Sequence, residues 1–346
     1  MLHELERLLE AAIKAFRDNH AQAEIDINEI ADEAKIGPGA IVDKIIRLTM
    51  GEKQIQYNVE IKRNLQRPYV GLIIHRRNHI PGPFLLVTNY VNEAIAEDLR
   101  KNKIEFIDAA GNAYIDQPPL FIHIKGNKLK DKWLGAMRDQ AFRGTGLKVV
   151  FIFLGNPQMV NKNYRAIARA AGVALGNIGM IIDDLTKQGF LLDMGKKGYK
   201  LVNKRRLLDR FVGDYPKRLR QRLLMGRFQG ILDWREMDAL GFENALWGGE
   251  VAAAEMTDYL KPQNLTIYLE PKLFEKFLIK HRLKKDPNGE IEILELFWGL
   301  DNLAGNKGLV HPILVYTDLI ATANNRNIET AQVIYERYIA ELIRED

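Results

Sequence analysis

The first part of the chain combines the hydrophobic spacing of helices with that of strands. Apolar residues recur at helical spacing in MLHELERLLEAAIKAF, which predicts an amphipathic helix. Residues 40–63 instead alternate apolar and polar positions on both sides of the turn GEKQ, which predicts a β-hairpin. PFLLVTNY then predicts a short buried strand, VNEAIAEDLRKNKI a helix, and IEFIDAAGNAYI with LFIHIKG two more strands. Such mixing of strands and helices is typical of an α/β domain.

A polar, glycine-punctuated stretch, KLKDKWLGAMRDQAFRGTG, separates this domain from the rest. Beyond it, LKVVFIFLGNP predicts a helix, the next segment two helices on either side of Gly172, and LLDMGKKGYKLV a two-stranded hairpin. From about residue 230, strand-like ILDWREM and LTIYLEP alternate with helical segments, and NIETAQVIYERYIAELIRED predicts a long last helix. We therefore predict a mixed α+β protein of three parts: 1–130, 145–228 and 229–346.

The composition restricts the class of protein. No stretch is long and apolar enough for a membrane span, and the first residues contain acids where a signal peptide needs a basic region and an apolar run. The chain has 0 cysteines, which excludes disulfides, thiolate nucleophiles and thiolate zinc sites. We expect a cytoplasmic protein with no membrane partner.

Positive charge is concentrated in one segment. The 50 Lys and Arg residues exceed the 45 acids by only +5, yet the segment from Lys196 to Arg227 contains only two acids, Asp209 and Asp214. Its basic residues are Lys196, Lys197, Lys200, Lys204, Arg205, Arg206, Arg210, Lys217, Arg218, Arg220, Arg222 and Arg227. Leucines at helical spacing between them fit either a solvated helix face or a track for nucleic-acid phosphates. A calmodulin-like or membrane-surface helix is less favoured.

The segment from Tyr164 to Phe190 predicts a helix-turn-helix, and the hairpin after it predicts a wing. Apolar positions form one face of each helix: Ile167, Ala168 and Ala171 in the first, and Val173, Leu175, Ile178, Ile181, Ile182 and Leu185 in the second. The candidate DNA contacts are Asn177 and Lys187 on the second helix, Lys196 and Lys197 at the wing tip, and Arg205 beyond it. Asn177 is suited to adenine, and the lysines to phosphates.

One feature opposes sequence-specific reading by this helix-turn-helix. Asp183 and Asp184 would repel phosphate if they faced DNA, so we expect backbone contacts to dominate the affinity and to make it salt-dependent. Winged helices also serve as protein-docking modules, and a docking module without any DNA role remains the alternative.

The N-terminal hairpin contains the residue types of a metal-dependent nuclease site. Nucleases of the PD-(D/E)XK class place an Asp on one strand and Glu-x-Lys on the next, where the carboxylates hold Mg²⁺ and the lysine assists the attacking water. Asp43 and Glu60-Ile61-Lys62 have this arrangement, and the following helix and strand are in the order that the restriction-endonuclease-like fold needs. Val42 stands where a proline is common. Asp108 is either a further acid or part of a turn.

Other catalytic motifs are not found. The sequence contains no P-loop, no HExxH and no serine elbow, and its 7 histidines are scattered. Glu250 follows a turn and precedes a helical segment, where it is expected to complement the helix N-terminus. We therefore expect no cofactor, apart from Mg²⁺ if the hairpin is a nuclease site.

Three segments together resemble the AbiEi-type antitoxin and transcriptional-regulator family of type IV toxin-antitoxin systems. They are FLLVTNY through IEFIDAAGNAYI, the helix-turn-helix segment, and WGGEVAAAEMTDYLKPQNLTIYLEP with HPILVYTDLIATANNRNIETAQVIYERYI. The most specific residues are Tyr316 to Leu319, Arg326, and Glu329 to Ala331. The resemblance covers about residue 80 to the end.

The resemblance implies a protein that binds inverted repeats of double-stranded DNA upstream of its own operon. It also implies opposition to a nucleotidyltransferase-like toxin without a stable complex. Two departures are visible: an α/β domain precedes the winged helix, and the tyrosine motif reads YTDL where the family has YADL. The residues by themselves also allow a structural role, in which Ile313, Leu314 and Leu319 are core and Arg326 pairs locally with Glu329.

Overall fold

The computed structural model describes residues 2–19, 25–37, 40–63, 65, 67–77, 80–129, 140–235, 240, 244–299, 303 and 308–344. The chain divides into two compact units, Met1–Gly135 and Ala136–Asp346. Both units combine helices and strands, which confirms the predicted mixed α+β class. Among the described residues, no single helix is long and apolar enough to cross a membrane.

The first unit is built around one sheet. Its elements in chain order are α1 (Leu2–Asn19), β1 (Ile25–Gly37), β2 (Ala40–Met50), β3 (Lys53–Lys62), α2 (Arg67–Arg77), β4 (Phe84–Thr88), α3 (Glu93–Lys101), β5 (Glu105–Asp108), β6 (Ala113–Gln117) and β7 (Leu120–Ile124). The strands lie side by side in chain order. β3, β4 and β5 are parallel, and the pairs at both ends of the sheet are antiparallel.

Helix α1 covers one face of this sheet. Its buried residues Leu8, Leu9, Ile13 and Phe16 belong to the same hydrophobic cluster as Tyr57, Val59, Leu85, Val87 and Ile107 of the strands. Because side chains alternate along a strand, the buried Phe84 and Leu86 lie on the opposite face. Helix α2 reaches the end of β3, where the ammonium of Lys62 lies 5.5 Å from the centre of the Tyr69 ring.

The predicted hairpin at residues 40–63 is confirmed, since β2 and β3 pair antiparallel across a short turn. Two strand predictions in this unit were wrong. β1 was not predicted, because IDINEIADEAKIG mixes acids into both faces, and its pairing with β2 contains two register shifts. The region after residue 104 forms three strands instead of two, because the chain turns back directly after Asp108.

The second unit contains a long series of helices and two sheets. Its elements are α4 (Gly144–Gly155), α5 (Tyr164–Ala171), α6 (Ile178–Lys187), β8 (Leu191–Asp193), β9 (Tyr199–Leu201), α7 (Lys204–Tyr215), α8 (Gln221–Leu223), β10 (Leu224–Gln229), β11 (Ala245–Gly248), α9 (Gly249–Thr257), β12 (Leu265–Leu269), α10 (Phe274–Lys280), β13 (Lys284–Lys285), β14 (Ile291–Glu295), α11 (Pro312–Ala321) and α12 (Asn325–Ile334). β8 pairs with β9, and the larger sheet has the order β11-β12-β14-β10-β13.

The helix α4 is the centre of this unit. Its residues Val149 to Phe153 are 0% exposed. The ring of Phe151 contacts four other rings, those of Phe211, Phe297, Trp298 and His311. The predicted parts 145–228 and 229–346 therefore share one hydrophobic core.

Three element predictions in this unit were wrong. The strand expected at ILDWREM is displaced to β10, and residues 231–233 belong to no regular element. Helical spacing had suggested that Leu224 continues the basic helix, but β10 begins at this residue and pairs with β14. The last helix is also shorter than predicted, because α12 ends at Ile334 and a π-helical turn, Tyr335–Ile339, follows.

Candidate nucleic-acid interface

Helices α5 and α6 form a sharply bent pair. Asn163 caps α5, since its side-chain oxygen accepts a hydrogen bond from the backbone N–H of Ala166 at 2.9 Å. The helix ends at Gly172, whose φ of +61° is left-handed and whose added Cβ would lie 2.2 Å from the carbonyl oxygen of Phe297. After this end, the segment Leu175–Lys187 is bent by 111° from α5.

Most of the apolar residues that were predicted to form the inner faces of α5 and α6 are buried. Six of the predicted apolar positions are at most 3% exposed: Ile167, Ala171, Ile178, Ile181, Ile182 and Leu185. Leu175 differs from the prediction, because it lies in the 3₁₀ turn Leu175–Asn177 before α6 and is 46% exposed. Met180 is also exposed, at 53%, as expected of a residue on the outer face.

The two adjacent acids of α6 have opposite surroundings. Asp184 is buried, and its carboxylate accepts hydrogen bonds from the backbone N–H of Ala141 at 2.8 Å and from the amide of Gln188 at 2.9 Å. Asp184 therefore does not face outward, so it would not repel DNA phosphates as the sequence had suggested. Asp183 is exposed, and its carboxylate is 2.7 Å from the ammonium of Lys187.

The other predicted contacts on the helix-turn-helix differ in exposure. Asn177 is half-buried at the beginning of α6, and its side chain makes no capping hydrogen bond to the helix. Lys187 is exposed at the opposite end of the helix, in the ion pair with Asp183. Arg205 is half-buried in α7.

The wing is a short hairpin held by one asparagine. β8 and β9 are joined by a 3₁₀ turn, Gly195–Lys197, that exposes both Lys196 and Lys197. Asn161, which lies outside the hairpin, makes two hydrogen bonds to the backbone of Tyr199 in β9. Its side-chain amide donates to the carbonyl of Tyr199 at 2.8 Å, and its side-chain oxygen accepts from the N–H of Tyr199 at 2.7 Å. An added Cβ at Gly198 would lie 2.3 Å from the Asn161 oxygen, so this position requires glycine.

The sequence interpretation missed three exposed cations around these predicted contacts, Lys162, Arg165 and Arg169. Lys200, which belongs to the predicted basic segment, is exposed as well. Arg165 and Arg169 are four residues apart on α5, the spacing that places two side chains on one helix face. That spacing is the signal that would have identified them. Between residues 162 and 200, seven exposed cations stand against two exposed acids, Asp183 and Asp193.

Five basic residues of the segment after the wing make contacts within the protein. Lys204 donates to the carbonyl of Arg344 at 2.6 Å, Arg210 stacks on Phe142 at 3.8 Å, Arg218 donates to the carbonyl of Phe142 at 2.9 Å, and Arg220 and Arg227 bind Glu292. Lys204, Arg210 and Arg220 therefore fit neither a solvated face nor a phosphate track, whereas the side chains of Arg218 and Arg227 remain 37% and 40% exposed. Lys217 and Arg222 are exposed and remain compatible with either interpretation.

The nuclease candidates lie on adjacent strands at one end of the first sheet. A carboxylate oxygen of Asp43 accepts from the backbone N–H of Ile61 at 2.7 Å. Glu60 is buried, and one of its oxygens lies 2.9 Å from the guanidinium of Arg76 and 3.2 Å from the ammonium of Lys62. The glutamate is thus already neutralised by two cations of the same unit.

Asp108 organises a turn. Its fully buried carboxylate accepts hydrogen bonds from the backbone N–H groups of Val91, Ala110 and Asn112 and from the Asn112 amide, at 2.8 to 2.9 Å. Burial raises the pKa of this carboxyl, although the four hydrogen bonds act in the opposite direction. The turn interpretation of Asp108 therefore agrees with its contacts.

A buried polar network joins the basic segment to the end of the chain. Asp318, in the predicted tyrosine motif, accepts from the guanidinium of Arg220 at 2.8 Å and from the hydroxyl of Tyr268 at 2.8 Å. The Tyr268 hydroxyl is also 2.6 Å from that of Tyr215. Burial raises the pKa of Asp318, whereas the pKa of Glu292 is lowered because its two arginine partners outweigh its burial.

Of two predicted roles in the last part of the chain, one agrees with the structure and one was wrong. Glu250 lies in the first turn of α9, as predicted, and its carboxylate also accepts from the backbone N–H of Gln263 at 2.7 Å and from Asn327 at 3.0 Å. Arg326 donates to Glu250 at 3.0 Å and not to its helical neighbour Glu329. These contacts attach α12 to α9.

Comparison with known proteins finds one similarity, in this last part of the chain. Residues 200–340 match the family described as "Transcriptional regulator, AbiEi antitoxin, Type IV TA system". The resemblance seen in the sequence is therefore confirmed for these residues, which include the Asp318 network and the contacts of Glu250. No curated protein and no solved structure matches the chain.

Proposed function

We propose that the protein is a DNA-binding transcriptional regulator and the antitoxin of a type IV toxin-antitoxin system. In this proposal, α5, α6 and the wing form a winged helix-turn-helix that contacts operator DNA. The observation that carries it is the excess of exposed cations over exposed acids between residues 162 and 200. The bend of 111° supports it, since helix-turn-helix motifs cross at about 90–120°. The family match supports the regulatory class.

In this proposal, α6 contacts the bases, and α5 and the wing contact the phosphates. The beginning of α6 enters the major groove, as in other helix-turn-helix proteins. Arg165 and Arg169 on α5, with Lys196 and Lys197 on the wing, contact phosphates on either side of it. Arg205 and Lys187 are the remaining predicted contacts. Binding that depends on several such cations weakens steeply as salt is raised.

The wing contacts can be tested with DNA from upstream of the gene. The double variant Lys196→Ala/Lys197→Ala should bind this duplex more weakly, and the slope of log K against log salt should fall by roughly 1.8, about 0.9 for each lost phosphate contact. A matched control is Lys284→Ala/Lys285→Ala, which removes two exposed lysines of β13 in the same unit. The control should leave both quantities unchanged.

Two results would contradict the proposal at different levels. An unchanged affinity and slope in the wing variant would remove the wing from the interface. Absence of duplex binding by the unaltered protein at low salt would reject the DNA-binding function and favour the docking alternative.

The antitoxin part of the proposal rests on the family match alone. We expect co-expression of the protein to relieve the growth arrest caused by a nucleotidyltransferase-like toxin. The purified proteins should not co-elute in gel filtration, because the resemblance implies opposition without a stable complex. Failure to relieve the arrest would reject this part and leave the DNA proposal standing.

A second candidate is a metal-dependent nuclease that uses Asp43, Glu60 and Lys62. It is supported by the order of elements in the first unit, in which a helix and three antiparallel strands precede a helix and a parallel strand. The surroundings of Glu60 oppose it, since Arg76 and Lys62 hold its carboxylate. Among the described residues, no group of three or more His, Asp or Glu is arranged to hold a metal ion. As arranged, these side chains do not fit Mg²⁺.

The nuclease candidate is tested by incubating the same duplex with the protein in Mg²⁺ or in EDTA. We expect intact DNA in both, with the unaltered protein and with Glu60→Gln. Glu97→Gln is the matched control, because Glu97 also pairs with two cations, Arg100 and Lys125. Cleavage that needs Mg²⁺ and is lost only in Glu60→Gln would establish the nuclease and reject our expectation.

A further inference from the structure

The outer surface at the beginning of α6 is apolar and contains no cation. The sequence has no lysine or arginine from Ala174 to Thr186. Leu175 is 46% exposed and Met180 53% exposed. A Cβ added at Gly176 would meet nothing within 4 Å, so this glycine leaves open space beside them. The 3₁₀ turn Leu175–Asn177 and the first turn of α6, which would enter a groove, therefore offer two apolar side chains.

Asn177 supplies one amide within this apolar surface. Asparagine at the beginning of a helix usually caps it, but the Asn177 side chain makes no such hydrogen bond. Its amide can therefore donate to and accept from a ligand. Asparagine forms a paired hydrogen bond with the N6 and N7 atoms of adenine, and apolar side chains contact the methyl group of thymine.

We infer that α6 recognises A·T base pairs, with Asn177 on adenine and with Leu175 and Met180 on thymine methyl groups. The inference rests on the proposed DNA-binding function and specifies the class of duplex. Guanine is most often read by arginine or lysine, which this half of α6 lacks. An A·T-rich operator sequence is thus the chemical complement of the helix.

The charged residues nearby do not supply a reader for G·C pairs. Aspartate can accept a hydrogen bond from cytosine, but the carboxylate of Asp183 lies 2.7 Å from the ammonium of Lys187. This ion pair partly neutralises the charges of Asp183 and Lys187 at the end of α6. The cations Arg165, Arg169, Lys196 and Lys197 are on α5 and the wing, where phosphate contacts orient the protein without reading sequence.

The experiment uses the full chain and a pool of random duplexes. Bound duplexes are enriched over several rounds and sequenced, and we expect a preferred site dominated by A·T pairs. Each thymine of that site is then replaced by uracil, which keeps the base pair and removes only the methyl group. Binding should weaken roughly fourfold for each methyl group that the protein contacts.

A pair of methionine variants links this effect to α6. In Met180→Ala, thymine and uracil duplexes should bind equally at the position that Met180 contacts. Met194→Ala is the matched control, because Met194 is 43% exposed on the wing and should leave the thymine preference intact.

The outcomes separate this inference from the function on which it rests. Equal binding of thymine and uracil duplexes, enrichment of G·C pairs, or a thymine preference that persists in Met180→Ala would overturn the inference and leave DNA binding in place. If the protein retains no duplex from the pool at low salt, the DNA-binding function fails as well. Leu175 and Met180 would then belong to a protein-docking surface.

Discussion

Asp318 is only 4% exposed, and both of its oxygens have partners inside the protein. Its partner Arg220 also donates to Glu292 at 2.8 Å, so this partly buried cation lies between two carboxylates. A charge buried in this way is stable only while its partners remain, since the alternative is an uncompensated charge in a poorly solvating interior. The aspartate of the tyrosine motif therefore has a structural role in this unit.

We predict that Asp318→Leu lowers the free energy of unfolding by about 3 to 5 kcal/mol, because it removes one of the two carboxylates that bind Arg220 and the carboxylate that accepts from Tyr268. The double variant Asp318→Leu/Arg220→Met should lose less than the sum of the single changes Asp318→Leu and Arg220→Met. Urea denaturation at neutral pH measures all of them. Asp183→Ala serves as the exposed control, with a change within about 1 kcal/mol. Strict additivity of the two buried changes would contradict the prediction.

His311 provides a pH-dependent contribution to stability. Its Nδ1 accepts a hydrogen bond from the backbone N–H of Ile313 at 3.2 Å and so caps α11. Burial lowers the pKa of His311 to about 4 from its ordinary value of 6.5. Between these two values the unfolded chain binds the proton and the folded chain does not.

The free energy of unfolding should therefore fall as the pH decreases from 6.5 towards 4, by up to about 3 kcal/mol from this one group. Above pH 6.5 His311 is mostly neutral in both the folded and the unfolded chain, so it adds little pH dependence to the free energy of unfolding. His311→Asn keeps a side chain able to cap α11 and removes the titration. Unfolding measured at several pH values should show a smaller acid loss in this variant. An identical pH dependence in both proteins would exclude His311 as the cause.

At the scale of elements, the wing depends on a side chain outside its own hairpin. β8 and β9 pair over only three residues each, which is too short for a hairpin to be stable alone. The two hydrogen bonds between Asn161 and the backbone of Tyr199 attach it to the preceding 3₁₀ turn, Pro157–Asn161. Asn161 thus holds the wing in the position from which Lys196 and Lys197 are exposed.

We predict that Asn161→Ala increases hydrogen exchange of the β8 and β9 amides by roughly tenfold, the factor expected for losing about 1.4 kcal/mol from two hydrogen bonds. Exchange in α4 should not change, because its core does not involve the wing. Lys162→Ala, the adjacent exposed residue, is the control for exchange. Protection of the wing that matches the unaltered protein would show that the hairpin is held by other contacts.

Other elements show where local patterns lose their predictive value. β2 and β3 were predicted because alternation over ten residues has one favourable register. β10 was not predicted from the sequence. The residues Leu219, Leu223 and Leu224 continue a helical spacing, although the backbone becomes extended at Leu224. Pairing with β14, nearly seventy residues later, decides that change. Tertiary contacts of this kind override local propensity.

At the scale of the whole molecule, the chain forms two compact units, Met1–Gly135 and Ala136–Asp346. The predicted division of the second into 145–228 and 229–346 is a division of sequence character, from helical and basic to strand-rich. The structure joins these two parts through β10 and through the aromatic contacts of α4. The match to the antitoxin family covers residues 200–340 and so spans both predicted parts.

The sequence by itself determined the mixed α+β class, the bent helix pair with its hairpin, and the resemblance to the antitoxin family, because each depends on residues close together along the chain. Only the tertiary structure decided which cations are exposed. Arg220 belongs to the same basic run as Lys217, yet its acidic partners Glu292 and Asp318 lie 72 and 98 residues further on. Charge along a sequence is local, whereas the burial and pairing of that charge depend on contacts made only when the chain folds.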